Sequence, residues 1–315
     1  MAFKVSIEET DSSKVITLAS KDGLCTAEIY SFGALLNAFT ITNGNSTTNV
    51  IDGFASPADA KANITHGFKS AKLSPFVCRL EKAQYQFEGE EYSVKKFNLG
   101  SEAIHGLLFD AEYAVKEQGA DKDKAFVVLT SSYSNKEQGF PFSYTAEVMF
   151  TLETGNRLTL TTRVINESDS NMPLSDGWHP YFKLGKSVND LQVQFNTNTM
   201  VEFDERLLPS GNTLPDNRFE NMVDFKDTFL DNCFVLKDHS AASCILQDVQ
   251  QGLRLSIYAS SSYPYLQVYT PPERTSIAVE NLSSVPDAFN NGIGLIVSQP
   301  GDVHEFTTTY QLELI

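Results

Sequence analysis

Two residues combine a side chain able to carry a proton with a sequence setting able to hold it still. His179 lies in Ser175-Asp176-Gly177-Trp178-His179-Pro180-Tyr181-Phe182. Pro180 biases it toward an extended backbone, three aromatic rings stand beside it, and imidazole gains and loses a proton near neutral pH. An ordinary buried histidine fits that stretch as well as a proton donor does. Glu280 closes the run Thr275-Ser276-Ile277-Ala278-Val279-Glu280, ahead of a turn-rich loop. Strand alternation puts Ile277 and Val279 on one face and Ser276, Ala278 and Glu280 on the other, where two small residues clear space beside the carboxylate. That suits a general base held by a rigid strand, while the competing reading is a solvated edge glutamate.

Five more side chains are candidates for orienting a ligand. Arg79 ends Pro75-Phe76-Val77-Cys78-Arg79, where a guanidinium among apolar residues needs hydrogen-bonding partners or an edge from which to reach water. His105, in Ile104-His105-Gly106, stands next to a glycine that permits close backbone approach. Asp231 opens the apolar run Leu230-Asp231-Asn232-Cys233-Phe234 and could accept hydroxyl hydrogen bonds, although Asp and Asn also cap turns. Gln267 and Tyr269 share strand parity with Tyr265. Each of these has a structural reading when taken alone.

The elements that must position these groups are strands. Arg157 to Val164 alternates Leu158, Leu160 and Val164 against Thr159, Thr161 and Arg163, the period of a half-buried strand. Ala125–Thr130, Phe142–Phe150, Leu191–Phe195, Cys244–Leu246, Leu253–Ala259, Tyr265–Tyr269, Thr275–Glu280 and His304–Leu314 read the same way. Turn formers such as Asn43-Gly44, Thr154-Gly155-Asn156 and Pro300-Gly301-Asp302 separate the runs, and tight connections favour antiparallel pairing. With helices scarce and no linker or repeat, the expectation is all-β: one large antiparallel β-sandwich spanning residues 1–315 as a single domain.

Charge narrows the partners. Asp and Glu number 40 against 24 Lys and Arg, and a net charge of −16 without a basic cluster disfavours nucleic acid and anionic membranes. Cys25, Cys78, Cys233 and Cys244 are scattered and lack disulfide or zinc spacing; with no signal-like segment in Met1–Glu9, they read as reduced packing residues of a cytoplasmic protein. The five histidines form no close ligand pair, so neither a metal nor another cofactor is expected.

Taken together, Pro75–Arg79, Ile104-His105-Gly106, Gly177–Phe182, Asp231–Phe234 and Ala278-Val279-Glu280 with Pro286-Asp287-Ala288-Phe289-Asn290 resemble the aldose 1-epimerase, or galactose mutarotase, family, in family order over most of the chain. The resemblance implies the galactose mutarotase-like supersandwich with an open cleft. It further implies Glu280 as catalytic base, His179 as catalytic acid, and Arg79, His105 and Asp231 as substrate-binding groups. The implied ligand is a small neutral monosaccharide, handled by a monomer or homodimer. Leu107 departs from the family pattern, which often has a second glycine there. The acid–base mechanism asks that Glu280 and His179 flank the sugar ring and not close on each other as a tight ion pair. Rival readings are an epimerase of a modified or phosphorylated aldose, a non-catalytic carbohydrate-binding protein, and a glycoside hydrolase using Glu280 and Asp231.

Overall fold

Residues 2–315 are described in a computed structural model. Two large antiparallel sheets dominate. The nine-stranded sheet runs, in spatial order, through Ala114–Ala120, Lys124–Ser134, Ser143–Glu153, Arg157–Asn166, Val303–Leu314, Leu253–Ala259, Cys244–Asp248, Gln192–Phe195 and Val223–Asp224. Its alternation is regular because one face meets the core and the other meets water. In Arg157–Asn166, Leu158, Leu160 and Val164 are buried, while the outward Thr159 and Thr161 hydrogen-bond across to Thr309 and Thr307 at 3.0 and 3.2 Å.

The second sheet has eight strands and carries the candidate residues. The strands used below are β1 (Ala71–Leu73), β2 (Arg79–Leu80), β3 (Glu102–Ile104), β4 (Gly177–His179), β5 (Tyr181–Phe182), β6 (Asp231–Leu236), β7 (Tyr265–Tyr269) and β8 (Ile277–Leu282). β6, β7, β8, β4 and β1 are successive neighbours in this sheet, and β5 also pairs with β8; β2 and β3 belong to a separate three-stranded sheet. One face of the eight-stranded sheet packs on the nine-stranded one: the Trp178 indole donates to Thr162 Oγ1 at 3.3 Å, Asn281 donates to Thr308 Oγ1 at 2.7 Å, and the Phe182 and Tyr310 rings meet edge-on. These contacts make a sandwich whose interior is a continuous cluster of aliphatic and aromatic side chains.

The other face of the eight-stranded sheet is roofed by chain from the first third of the sequence. A short helix, Pro57–Asn63, begins with Ser56 Oγ accepting from the Asp59 amide, and the segments after it bring β2 and β3 over the sheet. Every residue of β8 is therefore buried. The period-two reading named no strand before residue 125, yet Lys4–Glu9, Lys14–Ala19, Cys25–Tyr30, Leu35–Asn43 and Ser46–Asn49 form a five-stranded sheet of their own. All four cysteines are buried and unpaired with one another, and among the described residues no helix is long and apolar enough to cross a membrane.

Candidate active site

Pairing register decides which side chains share the roofed face. Asp231 lies opposite Tyr269, Tyr269 opposite Ala278, and Ala278 opposite Tyr181. One row further on, Gln267 lies opposite Glu280. Directly opposed residues point to the same side of a sheet, so Asp231, Gln267, Tyr269, Tyr181 and Glu280 project together from four strands. Glu280 sits within β8 and not at its end, because the strand runs two residues further than the alternation indicated. It is 2% exposed, which removes the reading of a solvated edge glutamate.

His179 ends β4, paired to Ala71 of β1. After it Pro180 interrupts the ladder, and its carbonyl accepts from the Val279 amide at 3.3 Å. The imidazole is stacked on Tyr181 at 5.0 Å between centroids and meets the His105 ring edge-on at 4.9 Å. Arg79 and His105 come from the roof: Arg79 pairs with Ile104 across β2 and β3, and the His105 amide donates to the Cys78 carbonyl at 2.9 Å. Gly106 is needed beside it, since its φ is +75° and a Cβ there would lie 2.3 Å from the Ser74 carbonyl oxygen.

All seven residues named from the sequence, Arg79, His105, His179, Asp231, Gln267, Tyr269 and Glu280, line one cavity of about 270 Å³. That is just below the roughly 300 Å³ at which pockets for drug-sized ligands begin, a size suited to one sugar ring. Three larger recesses do not gather the candidates: those bounded by Glu81 and Asn290 and by Lys96 and Glu137 contain no histidine, and one bounded by Asp52 and Pro272 holds His66 but not Glu280. Phe68, edge-on to His105 at 4.7 Å, also lines the cavity, as do Tyr181, Phe203 and Leu207. Sequence reasoning did not pick out Phe68, Phe203 or Leu207; nothing in their local pattern separates them from core residues.

His179 Nε2 and Glu280 Oε1 are 3.4 Å apart. They are adjacent, not on opposite sides of a ring-sized gap as expected. Adjacency still serves a hemiacetal, because its hydroxyl and ring oxygens are bonded to the same carbon and both can be reached from one side. Burial raises Glu280 well above the usual carboxylate range; the nearby Asp231 carboxylate adds to the rise and the Arg79 guanidinium opposes it. Burial lowers His179 to about 4. His105 is lowered well below its ordinary value by burial, by His179 and by Arg79. Asp231 is raised by burial, against Arg79 and the hydrogen bond it accepts from Gln267 Nε2 at 2.9 Å.

The polar atoms left over point to a ligand. Glu280 Oε2, His179 Nδ1, His105 Nδ1 and Gln267 Oε1 are buried side-chain atoms without a hydrogen-bond partner, and all four belong to residues lining this cavity. Buried polar atoms are ordinarily paired, so such a concentration calls for a hydroxyl-rich occupant. Among the described residues no group of three or more His, Cys, Asp or Glu side chains is arranged to hold a metal ion.

Comparison with known proteins identifies the family and the fold. A family model described as aldose 1-epimerase matches residues 14–311. The chain is 28% identical to the Escherichia coli K12 protein YihR, described as uncharacterized, over 74% of this chain and 75% of that one. It is 23% identical to an aldose 1-epimerase of Streptococcus thermophilus, over 97% and 95%. A galactose mutarotase-like protein from Clostridium acetobutylicum has the same fold, with a TM-score of 0.88 at 20% identity over 100% of this chain and 99% of the other.

Proposed function

This chain belongs to the aldose 1-epimerase family, and we propose that it interconverts the α and β anomers of a free aldohexose such as glucose or galactose. The observation that carries the reading is the buried His179–Glu280 pair, 3.4 Å apart, with an unused polar atom on each residue. In the reaction Glu280, ionised, takes the proton from the anomeric hydroxyl while protonated His179 gives one to the ring oxygen, and the C1–O5 bond breaks. Rotation about C1–C2 turns the other carbonyl face. The C5 hydroxyl then attacks, returning its proton to the imidazole, and Glu280 reprotonates the former carbonyl oxygen. No net proton is consumed.

Protonation of the cleft residues differs from the simple expectation of a charged pair. Burial favours the form in which both groups are neutral, with the proton on the carboxyl. The ionic form holds the same number of protons, so it is reached by relocating one proton within the pair and not by uptake from solvent. Arg79, which favours the Glu280 carboxylate, and sugar hydroxyls donating to that carboxylate both assist this relocation. Arg79, His105, Asp231 and Gln267 then bind the remaining hydroxyls, and the apolar C–H face of the sugar packs on Tyr181 or Tyr269. A neutral sugar is preferred over a phosphorylated one because burial holds both cleft histidines uncharged, leaving Arg79 as the lining cation.

The test is polarimetry on freshly dissolved α-glucose and α-galactose. The protein is expected to accelerate relaxation to the anomeric equilibrium for at least one of them. Tight binding without acceleration would establish a carbohydrate-binding protein instead.

A further inference from the structure

The stretch Pro286-Asp287-Ala288-Phe289-Asn290 takes no part in the acid–base scheme, yet it adjoins the cleft. Pro286 lines the cavity, and Asp287, 7% exposed, meets the backbone beside Arg79. Its amide donates to the Arg79 carbonyl at 2.8 Å, and its Oδ1 accepts from the Glu81 amide, also at 2.8 Å. One residue therefore holds the two peptide groups that follow Arg79. The peptide group before Arg79 is held from the other direction, where the Cys78 carbonyl accepts from the His105 amide at 2.9 Å.

Asp287 is itself tied down. Asn290 Nδ2 donates to the same Oδ1 at 2.7 Å and to the Gln84 carbonyl at 2.9 Å. The grip is kept against a local cost: φ at Asp287 is +61°, in the left-handed region that strains a residue with a Cβ and persists only where the surroundings enforce it.

Arg79 needs its backbone fixed because its side chain is not clamped. Among the described residues it takes part in no salt bridge, although its charge favours the ionised forms of Glu280 and Asp231. Where the guanidinium lies thus depends on where β2 sets its Cα. We propose that Asp287 is a positioning residue for the epimerase reaction: by holding the peptide groups after Arg79 it aims the guanidinium at the substrate and at Glu280. The proposal rests on the reading of Arg79 as a substrate-binding group beside the reacting pair.

The experiment measures kcat and KM on anomerically pure glucose and galactose by polarimetry, with urea midpoints alongside, in the wild type, Asp287→Gly, Asp287→Asn, Arg79→Met and the double variant Asp287→Gly/Arg79→Met. Glycine keeps the left-handed backbone without strain and deletes the carboxylate, whereas asparagine tolerates the same backbone and keeps an Oδ1 acceptor. Asp287→Gly is expected to lower kcat/KM about ten-fold, and Asp287→Asn to restore it to within about three-fold of wild type. Added to Arg79→Met, Asp287→Gly should cost less than about two-fold more, because the group it positions is gone. A merely structural role would instead multiply the two losses. Multiplied losses, an Asp287→Asn as impaired as Asp287→Gly, or wild-type kcat/KM in Asp287→Gly overturns the positioning role and leaves the reacting pair standing. If Asp287→Gly does not fold, Asn290→Ala, at an exposed position, runs the same cycle by removing the amide that ties Asp287 Oδ1; it is expected to lose about three-fold with Arg79 present and nothing without it, and equal losses in both backgrounds overturn the role. Wild-type kcat/KM in Arg79→Met overturns the part given to Arg79 and the positioning role with it, whereas a wild-type protein that accelerates neither sugar overturns the epimerase reading itself.

Discussion

Two buried ionisable pairs meet at β4, three residues apart, and they are built differently. Asp176 and Lys72 lie on the interior side: Lys72 donates to Asp176 Oδ1 and to the Gly177 carbonyl at 3.2 Å, and sits 4.5 Å from the Trp178 ring. Tyr263 donates to the same Asp176 oxygen at 2.6 Å, and both charged side chains have 0% exposure. Only Asp176 Oδ2 is left over. His179 and Glu280 face the cleft, are nearly as buried, and are near each other without a hydrogen bond, each with an atom to spare. The interior pair is closed on itself; the cleft pair is open toward a ligand. Burial of charge alone does not mark a reactive site, whereas burial with unused hydrogen-bonding capacity beside a cavity does.

The contrast breaks first, and by the largest amount, at the interior pair. Lys72→Met leaves Asp176 buried without its counter-charge and is expected to cost about 3–5 kcal/mol of folding stability, read as a lowered urea midpoint. The protein that remains folded should keep kcat within a few-fold of wild type. Unchanged stability, or a kcat loss as deep as that of a cleft variant, would erase the distinction between the two pairs.

At the cleft the effects should invert. Glu280→Gln is isosteric and removes a carboxylate whose ionisation burial opposes, and His179→Asn exchanges the ring for a smaller amide, so neither should lower the urea midpoint at neutral pH as far as Lys72→Met does. Each should nevertheless lose at least about 3 kcal/mol of transition-state stabilisation, within the 10² to 10⁴ range of a positioned acid or base. Polarimetric rates near wild type in either variant remove that residue from its proposed role.

The same contrast explains what could be read from the sequence. The nine-stranded sheet was legible because one side faces water: Leu253–Ala259 was predicted with its observed ends, and Arg157–Asn166 to within two residues. β8 is buried on both sides, so its pattern ends ambiguously, and alternation placed Glu280 at a strand end when the ladder continues to Leu282. In the five-stranded sheet of residues 4–49 the outer strands Lys4–Glu9 and Ser46–Asn49 bury no residue and gave no core pattern, whereas the three inner strands alternate as the nine-stranded sheet does and were overlooked, not hidden. Arg79, His105, His179, Asp231 and Glu280 were legible as residue types in particular settings and Gln267 and Tyr269 by strand parity; register sets Asp231, Gln267, Tyr269 and Glu280 on one face, and the roof brings Arg79 and His105 over it. Lys72 was not, since a lysine between Ala71 and Leu73 gives no local sign that Asp176 will be waiting 104 positions later.

The smallest expected effect is also the one that separates the two members of the cleft pair. His179 is lowered in the folded protein from 6.5 to about 4, so below pH 6.5 the unfolded chain takes up a proton that the folded one refuses. Its contribution is fully present above 6.5 and is lost as pH falls toward 4, at about 1 kcal/mol per pH unit. Glu280, raised by burial, has the opposite sign: its contribution is full below the unfolded value of 4.5 and is lost as pH rises through the folded one. In the wild type the two partly cancel between pH 6.5 and 4.5. His179→Asn should therefore flatten the loss of stability on acidification, and Glu280→Gln should steepen it, in urea titrations at half-unit pH intervals. His105, lowered by burial, by His179 and by Arg79, acts with His179 and remains as background in both variants. Slopes that change in the same direction in the two variants would mean that the pair does not partition its proton as its burial dictates.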